Sequence, residues 1–107
     1  MTVLASLSRF HLREAYRFTA EDSVYVHHAY HGQGVGKALL RELVTRAQRL
    51  QYRSIIAIIS ADQAASIALH AGAGFKEAGL LRRVGYKFDR WLDVVYMQRD
   101  LPRPSRR

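Results

Sequence analysis

A β-branched stretch that runs into a glycine-rich turn and then into helical periodicity constrains this fold most: Val24-Tyr25-Val26-His27-His28-Ala29-Tyr30-His31-Gly32-Gln33-Gly34-Val35-Gly36-Lys37-Ala38-Leu39-Leu40. Asp22 to His27 reads as a strand. From Val35 to Leu50 the apolar residues Val35, Leu39, Leu40, Leu43, Val44, Ala47 and Leu50 recur at helical spacing, with Lys37, Arg41, Arg46 and Arg49 outside the stripe. Glu42 stands four residues before Arg46, a favourable helix-surface pair. The next apolar run, Ile55-Ile56-Ala57-Ile58-Ile59 between Ser54 and Ser60, suits a strand covered on both faces. Strand, helix, strand implies a parallel pair joined by a right-handed crossover.

The three glycines in alternate positions let the backbone approach a ligand closely, and the helix behind them aims unpaired N–H groups and its positive dipole end at that place. A phosphate is the natural guest, the alternative being an ordinary strand-to-helix corner. The dinucleotide fingerprint does not fit, because the spacing is Gly32-x-Gly34-x-Gly36 and the following strand ends in Ile58-Ile59-Ser60 without an acid. No Walker pattern can be assembled around Lys37 either. A pyrophosphate cradle of another type remains.

At 107 residues the chain is one domain, expected to occupy residues 1–101, with 102–107 as a disordered basic tail. No apolar run approaches the roughly 20 residues of a membrane span, no secretory signal is evident, and cysteine is absent, so the cytoplasm is the expected compartment. Seventeen Lys and Arg against nine Asp and Glu give a net charge of +8, which attracts polyanions without naming one. A basic nucleic-acid-binding module stays open on charge alone, but no recognition motif is visible and no specific nucleic-acid partner is expected. His27, His28 and His31 lack the helical placement, cysteines and clustered carboxylates of a metal site, so no metal is expected.

Met1 to Ser8 reads as a short strand and Gln63 to Ala71 as a short Ala-rich helix stopped near Gly72 and Gly74. Phe75 to Val84 and Trp91 to Leu101 read as an antiparallel hairpin joined by Gly85 to Arg90.

With these elements in order, the chain resembles the GNAT superfamily of N-acetyltransferases, whose acetyl-CoA loop follows Gln/Arg-x-x-Gly-x-Gly/Ala. His31-Gly32-Gln33-Gly34-Val35-Gly36 fits it except at the first position. The resemblance narrows to the phosphinothricin and methionine sulfoximine acetyltransferases through the segments 15–26, Ala65-Ser66-Ile67-Ala68-Leu69-His70 with Gly74-Phe75, and Gly85-Tyr86-Lys87-Phe88 with Trp91-Leu92-Asp93. It implies an α/β fold of GNAT type, a mixed sheet with a β-α-β cofactor-binding core, shortened at the N-terminus. A basic residue usually stands at His31, an asparagine at Gln63, and a turn glycine at Asp89.

The activity implied is acetyl transfer from acetyl-CoA to the amino group of a small amino-acid-like substrate. Glu21 would be the general base, the alternative being an ordinary carboxylate, since Asp22 offers an equally plausible charge. Main-chain groups of Val24, Tyr25 and Val26 would meet the pantetheine and polarise the thioester, a role that needs a strand edge splayed from its neighbour. N–H groups from His31, Gly32, Gln33, Gly34, Val35, Gly36 and Lys37 would hold the pyrophosphate. His70 would protonate the leaving thiolate or simply pack; Gln63 and Ser66 would contact the cofactor or cap their helix. Arg13 and Tyr16 would face a substrate carboxylate. Trp91 and Phe88 read as core or dimer contacts, and an unpaired sheet edge favours a homodimer. The competing expectation is a shortened, non-catalytic GNAT fragment.

Overall fold

The computed structural model describes residues 3–9, 16–26 and 34–102. In chain order they form β1 (Val3–Arg9), β2 (Thr19–Val26), α1 (Val35–Arg49), β3 (Ser54–Ser60), α2 (Ala64–Gly72), β4 (Lys76–Lys87) and β5 (Arg90–Asp100). The strands join one mixed sheet of order β1-β2-β3-β5-β4. β2 and β3 run parallel, as a strand–helix–strand unit requires, and the other neighbours are antiparallel.

One face of the sheet carries the core. Ala20 pairs with Ile55, Asp22 with Ala57, Ala57 with Met97 and Ile59 with Val95, and all of these residues are buried. α1 lays Leu40, Leu43, Val44 and Ala47 on that face, and Phe75 and Leu101 complete the cluster. Ile67 and Leu69 of α2 pack against the same cluster, so both helices cover the same side. Each fully buried Leu or Ile contributes roughly 1.5–3 kcal/mol of transfer free energy. The stripe expected on α1 holds except at its end: Leu50 is the C-cap and 67% exposed. Arg46 Nε donates to Glu42 Oε2 at 2.9 Å, the surface pair read from their spacing.

The expectation that β3 is covered on both faces is corrected. Its burial alternates, with Ile55, Ala57 and Ile59 inside and Ile58 40% exposed on the side away from the helices. An uninterrupted apolar run carries no alternation from which an open face could be read, and both helical connections here return on one side.

The β4–β5 connection is also tighter than the six residues expected. Lys87 pairs with Arg90, leaving Phe88 and Asp89 as a two-residue loop with φ of 53° and 60°. Such loops favour glycine or asparagine because a Cβ crowds the following carbonyl in the left-handed region. Asp89→Gly is therefore expected to stabilise the domain by up to about 1 kcal/mol, the relief being partly offset by greater freedom of the unfolded chain. The contact it removes, Tyr86 Oη to Asp89 Oδ1 at 3.5 Å, is too long to weigh against this. Scanning calorimetry checks the point: a lower melting temperature would show that Asp89 is at ease in the turn.

Candidate active site

The β2–β3 ladder runs from Thr19 opposite Ser54 to Asp22 opposite Ala57 and stops there. Both strands continue, but with their outer neighbours. Ser23 to Val26 stay in register with Ser6 to Val3 of β1, while Ile58 to Ser60 stay in register with Tyr96 to Val94 of β5. The sheet thus opens into a fork whose vertex is Asp22 and Ala57, and the inner main-chain edge of residues 23–26 is free of the ladder with β3. Val24, Tyr25 and Val26 lie on this splayed edge.

Because β2 and β3 are parallel, the helices that follow them begin at the same end of the sheet, beside the mouth of the fork. α1 starts from Gly34, whose φ of 76° suits a residue without Cβ. Its first turn has no side-chain cap and no acidic residue, and Lys37 is exposed there. The first helical bond runs from Ala38 N–H to the Gly34 carbonyl, so the N–H groups of Val35, Gly36 and Lys37 lie ahead of the helical ladder. His31, Gly32 and Gln33, the rest of the expected cradle, lie outside the described residues.

α2 starts at the other side of the mouth. Gln63 is its N-cap residue yet makes no capping bond with its side chain, so the capping alternative is not what is seen. The turn before it is held by Asp62, which accepts from the Ser60 hydroxyl at 2.8 Å and pairs with Arg90 across the β4–β5 hairpin. The Ser60 hydrogen bond is the main reason that the Asp62 carboxyl lies below its usual range; desolvation opposes it, and the Arg90 charge adds to the lowering.

Glu21 is half-buried one residue before the vertex. Strand alternation puts it on the face opposite Ala20 and Asp22, the side without helices. Asp22 instead goes inward: its carboxylate is 1% exposed, with both oxygens 3.2 Å from His70 Nε2. His70 Nδ1 lies 2.8 Å from the Ser66 carbonyl oxygen, and the ring meets Phe75 edge-on at 4.9 Å. Both ring nitrogens thus face acceptors, a carbonyl and a carboxylate, an arrangement that the doubly protonated imidazole satisfies in full. Burial alone would lower the His70 pKa, but the Asp22 hydrogen bond and charge, with the Ser66 carbonyl, outweigh it and raise it above the ordinary 6.5.

Of the two readings of His70, thiolate acid or packed ring, the structure favours the second: the ring is 2% exposed and both nitrogens lie against protein acceptors. The partnership with Asp22 was not anticipated, the only sequence signal being that Asp22 shares a strand face with Ala20. Tyr16 is 42% exposed in the turn before β2, at the end of that strand away from the fork mouth, and Arg13 lies outside the described residues. Phe88 and Trp91 are 85% and 61% exposed, which removes the core reading for both.

The structure thus places a parallel fork between the starts of two helices. Comparison with known proteins gives the class. Residues 2–75 match the Acetyltransferase (GNAT) family, and the chain belongs to that family. It is 47% identical over 98 residues to the phosphinothricin N-acetyltransferase of Alcaligenes faecalis, covering 91% of this chain and 50% of that protein. It is 41% identical to the L-methionine sulfoximine/L-methionine sulfone acetyltransferase of Salmonella typhimurium, covering 94% of this chain and 59% of that one. Among solved structures, the putative acetyltransferase YncA of Salmonella typhimurium with its cofactor acetyl-CoA superposes with a TM-score of 0.91 at 39% identity, over 99% of this chain and 61% of that chain. The GNAT superfamily phosphinothricin acetyltransferase of Sinorhizobium meliloti in complex with acetyl-CoA gives 0.86 at 48% identity, over 91% and 52%. The chain thus spans between about half and three fifths of the length of these relatives. No helix among the described residues is long and apolar enough to cross a membrane.

Proposed function

We propose that the chain binds acetyl-CoA in the β2–β3 fork and transfers its acetyl group to the amino group of a small amino-acid-like substrate of the phosphinothricin or methionine sulfoximine type, in the cytoplasm. The observation that carries this reading is the end of the β2–β3 ladder at Asp22 and Ala57, beside the uncapped start of α1. The open main-chain edge of Val24, Tyr25 and Val26 pairs with the pantetheine amides and donates to the thioester oxygen as charge develops on it. Gly34, Val35, Gly36 and Lys37, continued by His31, Gly32 and Gln33, hold the pyrophosphate, while Gln63 and Ser66 flank it from α2. Glu21 takes one proton of the substrate ammonium, the freed amine attacks the thioester carbon to form the new C–N bond, the C–S bond breaks, and the proton then lost from the nitrogen passes to solvent while the leaving sulfur takes one from solvent at the mouth. Arg13 remains a candidate for the substrate carboxylate, whereas Tyr16, at the end of β2 away from the mouth, is set aside.

Calorimetric titration of the purified chain with acetyl-CoA tests the reading. Saturable one-site binding, followed by acetylation of phosphinothricin or methionine sulfoximine, is expected. A folded chain that binds no acetyl-CoA would be a non-catalytic GNAT fragment.

The same reading includes a homodimer. Both sheet edges, β1 and β4, lack an outer neighbour among the described residues, and the β4–β5 hairpin exposes Leu80, Leu81, Val84, Tyr86, Phe88 and Trp91. An edge strand this long that carries exposed apolar side chains invites pairing with a second copy. Sedimentation velocity at micromolar concentration is expected to give a dimer that Trp91→Lys weakens. A monomer across that range removes the dimer from the proposal.

A further inference from the structure

We propose that Asp22 and His70 form a positioning clamp that fixes the vertex of the fork and ties it to the α2 side of the acetyl-CoA site. The proposal rests on the acetyl-CoA reading above and concerns how that site keeps its shape.

Asp22 is the last β2 residue in register with β3, so its side chain leaves the backbone where the strands part. Its carboxylate reaches the ring of a residue 48 positions away on α2. The other ring nitrogen of that residue holds the carbonyl of Ser66, in the first turn of the helix that flanks the mouth. One imidazole therefore spans the fork vertex and a proposed cofactor contact, and Phe75 fixes its plane. A merely space-filling ring would need neither bond. The Asp22 end ties β2 to α2, while the Ser66 end, within α2 itself, fixes how the ring leaves the helix to make that tie.

The clamp is closed only while both nitrogens carry protons. When one proton leaves, a lone pair faces either the Ser66 carbonyl or the Asp22 carboxylate, and that end opens. The charge acting on the ring comes from Asp22 on β2. Glu21 sits on the opposite strand face. α1 turns Leu40, Leu43, Val44 and Ala47 toward the core, and β3 turns Ile55, Ala57 and Ile59. From β5, the Arg99 cation lies at the same end of α2 as His70, its Nε donating to the Ala73 carbonyl at the C-cap.

Asp22→Asn separates the clamp from its charge. An asparagine amide donates to Nε2 of a neutral ring whose Nδ1–H still reaches Ser66, so the variant keeps the geometry without needing the cation. NMR of the ligand-free chain follows the His70 ring and the amides of residues 23–26 and 58–60 through an alkaline titration, and acetyl-CoA titrations are run at pH values on either side of the His70 midpoint. In the unsubstituted protein the fork amides are expected to shift with that midpoint, and acetyl-CoA affinity to fall on the order of tenfold across it. In Asp22→Asn both responses disappear, while the ligand and Lys37 are unchanged. Fork amides indifferent to His70 titration overturn the clamp whatever the ligand result, and so does an Asp22→Asn protein with the original pH dependence. Failure of acetyl-CoA to bind at any pH, with amides that do move, refutes the proposed function and leaves the clamp standing. His70→Gln supplies the remaining arm: weaker acetyl-CoA binding is expected, and a loss confined to kcat at unchanged affinity returns His70 to the role of acid and overturns the proposal.

Discussion

His70→Leu is expected to cost the fold about 3–5 kcal/mol, because it leaves the Asp22 carboxylate buried with no cation to meet it. That is a large part of the roughly 5–15 kcal/mol by which domains are ordinarily stable, so the variant should be partly unfolded near 37 °C. The loss is not the worth of the pair. Two charges taken out of water together gain little over apolar residues of similar volume, and the double variant Asp22→Val, His70→Leu is expected to return to within about 2 kcal/mol of the starting protein. Urea unfolding followed by circular dichroism measures both. A single variant that loses less than about 1 kcal/mol would show that water reaches Asp22 and that the pair is not buried in solution.

The same pair sets a pH dependence whose sign is fixed. The His70 pKa is higher in the folded chain than the ordinary 6.5 of the unfolded one. The folded state thus binds this proton more tightly, and the contribution is full below pH 6.5 and lost as pH rises through the folded value. Urea midpoints are expected to fall as pH rises above 6.5 in the unsubstituted protein and to lose that decline in the double variant. A decline of equal size in both would assign it to other groups.

How much of this was legible in the chain depends on how local each signal is. β3 was readable to the residue because Ser54 and Ser60 bracket an apolar run, and α1 because its stripe repeats over four turns. The open face of β3 was not, since Ile56 and Ile58 look the same in sequence as Ile55 and Ile59. The two-residue loop at Phe88 and Asp89 was hidden by the lack of glycine at positions that take positive φ. At the site, the glycine turn announced an anion cradle, but the fork is a property of where two ladders separate, and only the family resemblance anticipated it. The Asp22–His70 pair joins elements 48 residues apart, and neither residue carries a local mark of its partner.

Glu21→Gln is expected to lower kcat/KM for the amine by about 10²–10⁴-fold at neutral pH while acetyl-CoA affinity stays within about twofold. The adjacent carboxylates looked interchangeable as bases, and their placement separates them. Asp22 is on the helix-covered face with both oxygens engaged by His70. Glu21 stands on the open face one residue from the vertex, beside the edge where the thioester is proposed to lie. Glutamine keeps the shape and loses the proton acceptor, so the deficit should be largest where the substrate is an ammonium ion. As pH rises through the amine's own pKa, solvent supplies free amine and the variant should approach the parent rate. A deficit that stays constant with pH would mean that Glu21 acts as a fixed charge, and unchanged turnover would take it out of the reaction. If acetyl-CoA affinity falls in parallel with turnover, the substitution has disturbed the fork itself, and the base must be sought elsewhere on the open face of the sheet.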